Sequence, residues 1–183
     1  MALDGMQPST MQEVLDAQKA AHIRDGAPSA AKRIEWMDRA IALIVDHQKE
    51  IVDALAEDFG HRSKDMSQLT DVASSIGPLQ HAKKNVAKWM RPEKRKVEFP
   101  LGLLGSRAEV HYQPKGTVGI ISPWNFPVNL TFGPLAGVFA AGNRAMIKPS
   151  EFTEHTSELM RQMFAKAYSP EEVAVFTGGP EVG

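Results

Sequence analysis

The 183-residue sequence contains no cysteine. Disulfides, zinc–thiolate centres and thiol nucleophiles are therefore excluded within these residues. An excess of one charge is also missing, because 21 Lys and Arg stand against 22 Asp and Glu. Such a balance gives no electrostatic reason to expect nucleic acid or an anionic membrane as partner. No window approaches the roughly 18 apolar residues of a membrane span. The start, Met1–Thr10, lacks a basic flank followed by an apolar stretch, so a cytoplasmic protein is expected. There is no Walker A sequence, no G-x-S-x-G, and no His/Asp/Glu cluster at metal-ligand spacing. His22, His47, His61, His81, His111 and His155 are scattered and read as surface or capping residues. Repeats and low-complexity segments are absent too.

What remains is ordinary globular composition, 43% hydrophobic and 23% charged. The length allows one domain, or one domain and an appendage, with a real core. Residues 1–91 read as helical. Met11–Arg24 forms an amphipathic segment that stops at Gly26. Ser29 is placed to cap the next helix. Ile34, Met37, Ile41, Ile44 and Val45 recur at helical spacing, and Ile51, Leu55 and Phe59 continue after His47 up to Gly60. Met66, Leu69, Val72, Ile76, Leu79, Val86 and Trp89 make the apolar stripe of a third helix, read as core and stopped by Pro92.

Residues 92–114 change character. Lys96–Phe99 and Arg107–Tyr112 alternate polar and apolar around Gly102 and Gly105, predicting strands or a loose hairpin. An exposed edge there needs a partner, in the same protein or in another subunit. The basic run Arg91–Lys96 has no aromatic ladder and reads as a solvated loop.

From residue 115 the pattern is β-α-β-α-β. Thr117–Ile121 is expected as a fully buried strand, Val128–Ala141 as a helix ending at Gly142, and Arg144–Ile147 as a strand. Thr153 or Thr156 then caps a helix running to about Ala167, and Glu172–Phe176 is the third strand. The expected class is α/β: amino-terminal helices, a small hairpin region, and the first part of a Rossmann-like parallel sheet. Right-handed crossovers put both helices on one face. Three strands are few for a doubly wound sheet, and the sequence stops in what reads as a loop. The amino-terminal part of a larger protein is therefore expected.

Parallel sheets bind ligands at the carboxyl ends of their strands. Two polar turns fall there, Ser122-Pro123-Trp124-Asn125 and Lys148-Pro149-Ser150-Glu151. Asn125 offers an uncharged amide that can donate to an oxyanion or cap the following helix. Lys148 and Glu151 read either as a solvated ion pair or as a cofactor contact, since a carboxylate here accepts from ribose hydroxyls. Glu151 leans toward NAD over NADP by repelling a 2′-phosphate, while Lys148 weakens that preference. The run Gly178–Gly183 does not match G-x-G-x-x-G and reads as a tight turn.

Pro123–Pro127, Ala141–Asn143 and Lys148–Glu151 together resemble the aldehyde dehydrogenase superfamily. Asp58–Ser63, Trp89–Pro92, Asn143–Phe152 and Glu172–Gly179 are most similar to its coniferyl-aldehyde dehydrogenase branch. The resemblance implies that Asn125 is the oxyanion-hole asparagine. It implies that Ser122 and Trp124 line the cofactor cleft, that Lys148 and Glu151 hold the adenosine ribose beside Ser150, and that Gly179 lies near the adenine-side phosphate. The implied cofactor is NAD, with NADP possible, and the implied substrate is a small aromatic aldehyde. Residues 92–114 then belong to an oligomerisation region, which implies a homo-oligomer. In the family, a cysteine forms a thiohemiacetal, the nicotinamide accepts hydride, and a glutamate activates water to release the acid. Neither the cysteine nor the glutamate motif occurs in these 183 residues, so this chain alone is expected to be inactive. Two rival readings remain: a non-catalytic protein that pairs with full-length subunits, and a free-standing nucleotide-binding module.

Overall fold

The computed structural model describes residues 10–182. Met1–Ser9, most of the segment inspected for a leader, and Gly183, the end of the glycine turn, lie outside the described residues. The elements run α1 (Met11–Asp25), α2 (Ala30–Asp46), α3 (Gln48–Phe59), α4 (Lys64–Ser67), a π turn (Gln68–Ala73) and α5 (Ser74–Trp89). They continue β1 (Glu93–Arg95), β2 (Ala108–Val110), β3 (Thr117–Ile121), α6 (Asn129–Ala140), β4 (Arg144–Lys148), α7 (Glu154–Ala167) and β5 (Val173–Val175). No described helix is long and apolar enough to cross a membrane.

β3, β4 and β5 form a parallel sheet in that order, each pair joined by the helical crossover that parallel neighbours require. Strand side chains alternate faces. Val118, Ile120, Ala145, Ile147, Val173 and Val175 share one face by register, and they join the core with Phe132 and Leu135 of α6 and Met160, Met163 and Phe164 of α7. The rings of Phe132 and Phe164 stack at 5.1 Å, locking the two crossover helices together. α2, α3 and α5 pack outside them, with Trp36, Met37, Ile44, Ile51, Leu55, Leu79 and Val86 buried in the same core. α1 lies beside the amino ends of the strands. There Gln18 donates to the Ala145 carbonyl at 3.0 Å and Arg144 pairs with Asp25 at 2.8 Å.

Several expectations are corrected. The third helical stripe is not continuous. The π turn inserts a residue and rotates the face, so Val72, Leu79 and Val86 are buried while Met66 and Leu69 point to solvent. Trp89 is also exposed, with its ring tilted against that of His81 at 5.7 Å. The hairpin is shifted: β1 lies at 93–95, inside the basic run read as a loop, and pairs antiparallel with β2 at 108–110. Lys96–Phe99 lies outside the strands. Both strands are exposed throughout, so no core face existed to fix their register. β3 is not fully buried, because its alternate face carries exposed Gly119 and Ile121, the latter 76% accessible.

A candidate active site at the strand ends

Both polar turns sit at carboxyl ends of parallel strands, and one bond joins them. The Ser122 amide, just past β3, donates to the Lys148 carbonyl at the end of β4, at 3.0 Å. Ser122 is buried, and its hydroxyl shares a 2.7 Å hydrogen bond with the Thr131 hydroxyl in the first turn of α6. Trp124 is half exposed, with its ring 6.5 Å from that of Phe59. Asn125 is exposed. It does not cap α6, whose N-cap position is Val128. That removes the capping alternative.

The side chains that hold this turn come from far along the chain. Asp71, in the π turn, is fully buried. Its Oδ1 accepts from the amides of Val128 at 3.2 Å and Asn129 at 3.4 Å. Its Oδ2 lies 2.9 Å from Arg62 Nη2. Burial pushes the Asp71 carboxyl pKa up, against the opposing pull of Arg62 and the two amides. Arg62 Nη1 donates to the Asn125 main-chain carbonyl at 3.0 Å, and Nη2 donates to Thr70 Oγ1 at 3.0 Å. The guanidinium is held between the rings of Phe59 and Phe126, at 4.8 and 4.9 Å from their centroids. Sequence reasoning missed both residues. Asp58–Ser63 served only as a resemblance block, and Asp71 lay in a segment read as ordinary helix.

At the end of β4, Lys148 Nζ and Glu151 Oε2 are 2.8 Å apart. The pair is not freely solvated, because the Lys148 side chain is only 9% accessible. The Lys148 hydrogen bond holds the Glu151 carboxyl below its ordinary range. Ser150 is buried: its hydroxyl accepts from the Phe152 amide at 3.2 Å and its carbonyl from the Ser157 hydroxyl at 2.8 Å. An open cleft of about 490 Å³ lies between three carboxylates, Glu151, Glu154 and Glu158, the residues Ser150, Ser157 and Thr177, and the turn at Gly178 and Gly179. The Gly179 amide donates to Glu181 Oε1 at 3.0 Å across the turn.

Thr153 and Thr156 do not cap α7 with their side chains. Asp58 of α3 does so, accepting from the amides of His155 at 3.0 Å and Thr156 at 2.9 Å and from the Thr156 hydroxyl at 2.6 Å. Among the described residues no group of three or more His, Cys, Asp or Glu is arranged to hold a metal ion.

Residues 4–183 match the aldehyde dehydrogenase family profile. The chain belongs to the aldehyde dehydrogenase family. It is 65% identical over 176 residues to a protein of Caulobacter vibrioides named probable coniferyl aldehyde dehydrogenase, covering 96% of this chain and 36% of that one. A substrate-bound Staphylococcus aureus AldH structure superposes with TM-score 0.86 at 27% identity, over 95% of this chain and 37% of that one. An indole-3-acetaldehyde dehydrogenase of P. syringae, in complex with NAD+ and IAA, gives TM-score 0.77 at 20% identity, over 93% and 34%. The chain thus spans little more than a third of the length of these family members, and its fold is the matching part of theirs.

Proposed function

We propose that this chain is the amino-terminal segment of an NAD-dependent aldehyde dehydrogenase whose complete form oxidises an aromatic, coniferyl-aldehyde-like aldehyde to the acid. The observation that carries the reading is the Ser122–Lys148 link, which sets the Asn125 turn beside the Lys148–Glu151 pair.

On this reading Asn125 donates its side-chain amide to the oxygen that gains charge when the carbonyl is attacked. One such donor contributes roughly 3 kcal/mol to the transition state. Glu151 accepts from the cofactor ribose, with Lys148 fixing its orientation and Ser122, Trp124, Ser150 and Gly179 lining the approach. The open cleft beside Glu151 supports that use for a ribose, since its walls carry hydroxyls, glycine backbone and three carboxylates, Glu151, Glu154 and Glu158, which accept from sugar hydroxyls. NAD, when bound, supplies the hydride acceptor. The Glu151 carboxylate disfavours a 2′-phosphate, so NAD is preferred over NADP. A shallow, mainly apolar depression of about 530 Å³, lined by Leu69, Ala73 and Phe126 with Thr70, Ser74 and Asn129, supports an aromatic substrate. Residues 1–91 and 115–183 form the helical and cofactor-binding parts. Residues 92–114 serve subunit contact, consistent with their exposed Phe99, Leu101, Leu103 and Leu104.

The nucleophile must be supplied from outside these residues, since no thiol is present. The test is a chimera in which this sequence replaces the matching segment of the Caulobacter protein. It is assayed by NADH formation from coniferyl aldehyde. The chimera is expected to be active, Asn125→Ala to lower kcat by about a hundredfold, and the unfused chain to show no oxidation. Full turnover in Asn125→Ala, or oxidation by the unfused chain, overturns the reading.

A further inference from the structure

The segment 125–129 is gripped at both ends by one buried ion pair. Arg62 holds the carbonyl of Asn125, and Asp71 holds the amides of Val128 and Asn129. Neither side chain has room to drift. Asp71 is 0% accessible and Arg62 14%. The planar guanidinium is fixed by two rings, a hydroxyl, a carboxylate and a carbonyl, a set that lysine's point charge cannot satisfy together. Between the two grips, Pro127 restricts the chain further. The backbone that carries Asn125 therefore has its place set by Arg62, and Arg62 has its place set by Asp71.

We propose that Arg62 and Asp71 are positioning residues for Asn125, which fix its side-chain amide where the oxyanion forms. The proposal rests on the reading of Asn125 as oxyanion donor. The physical reason is that such a donor works only if it is in place before charge develops, and a displacement of about 1 Å can cost up to a hundredfold in rate. A donor on an exposed turn has no packing of its own to hold it. The ion pair supplies that rigidity from the helical region.

The experiment is a double-mutant cycle in the active chimera, with Arg62→Met, Arg62→Lys and Asp71→Asn, each alone and with Asn125→Ala. Arg62→Met is expected to lower kcat about tenfold or more while KM for NAD changes less than about twofold. Arg62→Lys should recover part of the loss. In the Asn125→Ala background the Arg62 substitutions should cost almost nothing further, because the donor they position is gone. Unchanged kcat in the Arg62 variants, or losses that multiply fully with that of Asn125→Ala, overturn the proposal. If Arg62→Met does not fold, Arg62→Lys and Asp71→Asn complete the cycle with the same outcomes. Asn125→Ala with unchanged kcat defeats the oxyanion reading itself, which separates that failure from a failure of positioning.

Discussion

Replacing Glu172 by Gln tests how the helical region is fastened to the sheet. Glu172 stands immediately before β5 with a side chain 15% accessible. Its Oε1 accepts from Trp36 Nε1 at 2.8 Å and Arg39 Nη2 at 3.0 Å, and lies 3.2 Å from Lys32 Nζ. Oε2 accepts from Arg39 Nη1 at 3.0 Å. Burial on its own would raise the pKa, but Arg39, Trp36 and Lys32 outweigh it and lower the carboxyl from 4.5 to about 2. A gap of that size corresponds to roughly 3 kcal/mol of linked stability. Solvent at the outer edge of the cluster screens this to about 2 kcal/mol. The folded pKa is depressed, so the contribution is complete above pH 4.5 and is lost as the pH falls toward about 2. Urea unfolding followed by circular dichroism, at a series of pH values, measures it directly. At neutral pH Glu172→Gln should be about 2 kcal/mol less stable than wild type, with Tm lower by roughly 4–8 °C. Below pH 4.5 the gap should narrow, closing near pH 2. The difference between the two proteins is the informative quantity, because every other carboxylate titrates in both. A gap of constant size across the whole range would refute the argument and move the loss to shape rather than charge.

Removing the distant cap of α7 with Asp58→Ala should cost about 2 kcal/mol in the same unfolding assay. It should also return the His155 pKa toward its ordinary value, because the Asp58 hydrogen bond is the largest cause of its elevation. A proton NMR titration of His155 reads that change independently of stability. In the chimera, Glu151→Ala should weaken NAD binding by at least about tenfold in calorimetry, and unchanged affinity would remove Glu151 from the cofactor site.

The parallel sheet was legible because its signals are local. Each strand is a short apolar run bounded by glycine, proline or polar turns, and β3, β4 and β5 fall within about a residue of their expected limits. Placement of Asn125 and Glu151 at strand ends followed from the same punctuation. What the pattern hid is what periodicity cannot encode. One inserted residue in the π turn redirects Met66 and Leu69 without changing any residue type. Thr153 and Thr156 look like caps by composition, yet the oxygen that serves α7 is 97 residues away on Asp58. The hairpin's shift has a related cause, since alternation fixes a register only where one face is buried. Lys148–Glu151 was readable as a pair from spacing alone, but its burial depends on a sheet that spacing does not show.

The two distant aspartates also bear on where negative charge can be stabilised. A helix that begins at a strand end normally offers free amides and a positive dipole end to an anion. α6 offers no such amides. Val128 and Asn129 donate to Asp71, Leu130 donates to the Phe126 carbonyl at 2.9 Å, and Thr131 donates to the Val128 carbonyl at 3.1 Å. All four leading amides are taken, and the nearest group carries a carboxylate. At α7 the amides of His155 and Thr156 are likewise held by Asp58. On the proposed reading, an oxyanion beside the first turn relies on the Asn125 side chain rather than on the helix behind it. On the same reading the adenosine end of the cofactor relies on Lys148 and Glu151, since the His155 and Thr156 amides of α7 are already held by Asp58. The helical region thus does two things at once: it closes helix ends that would otherwise attract anions, and it leaves the proposed donors as the available ones. Asp71→Asn separates these effects. If closure of α6 matters, the neutral amide should let added sulfate shift the backbone amide resonances of Val128 and Asn129 in the 183-residue chain, while wild type stays unmoved. Equal response in both proteins would show that Asp71 does not guard that helix end.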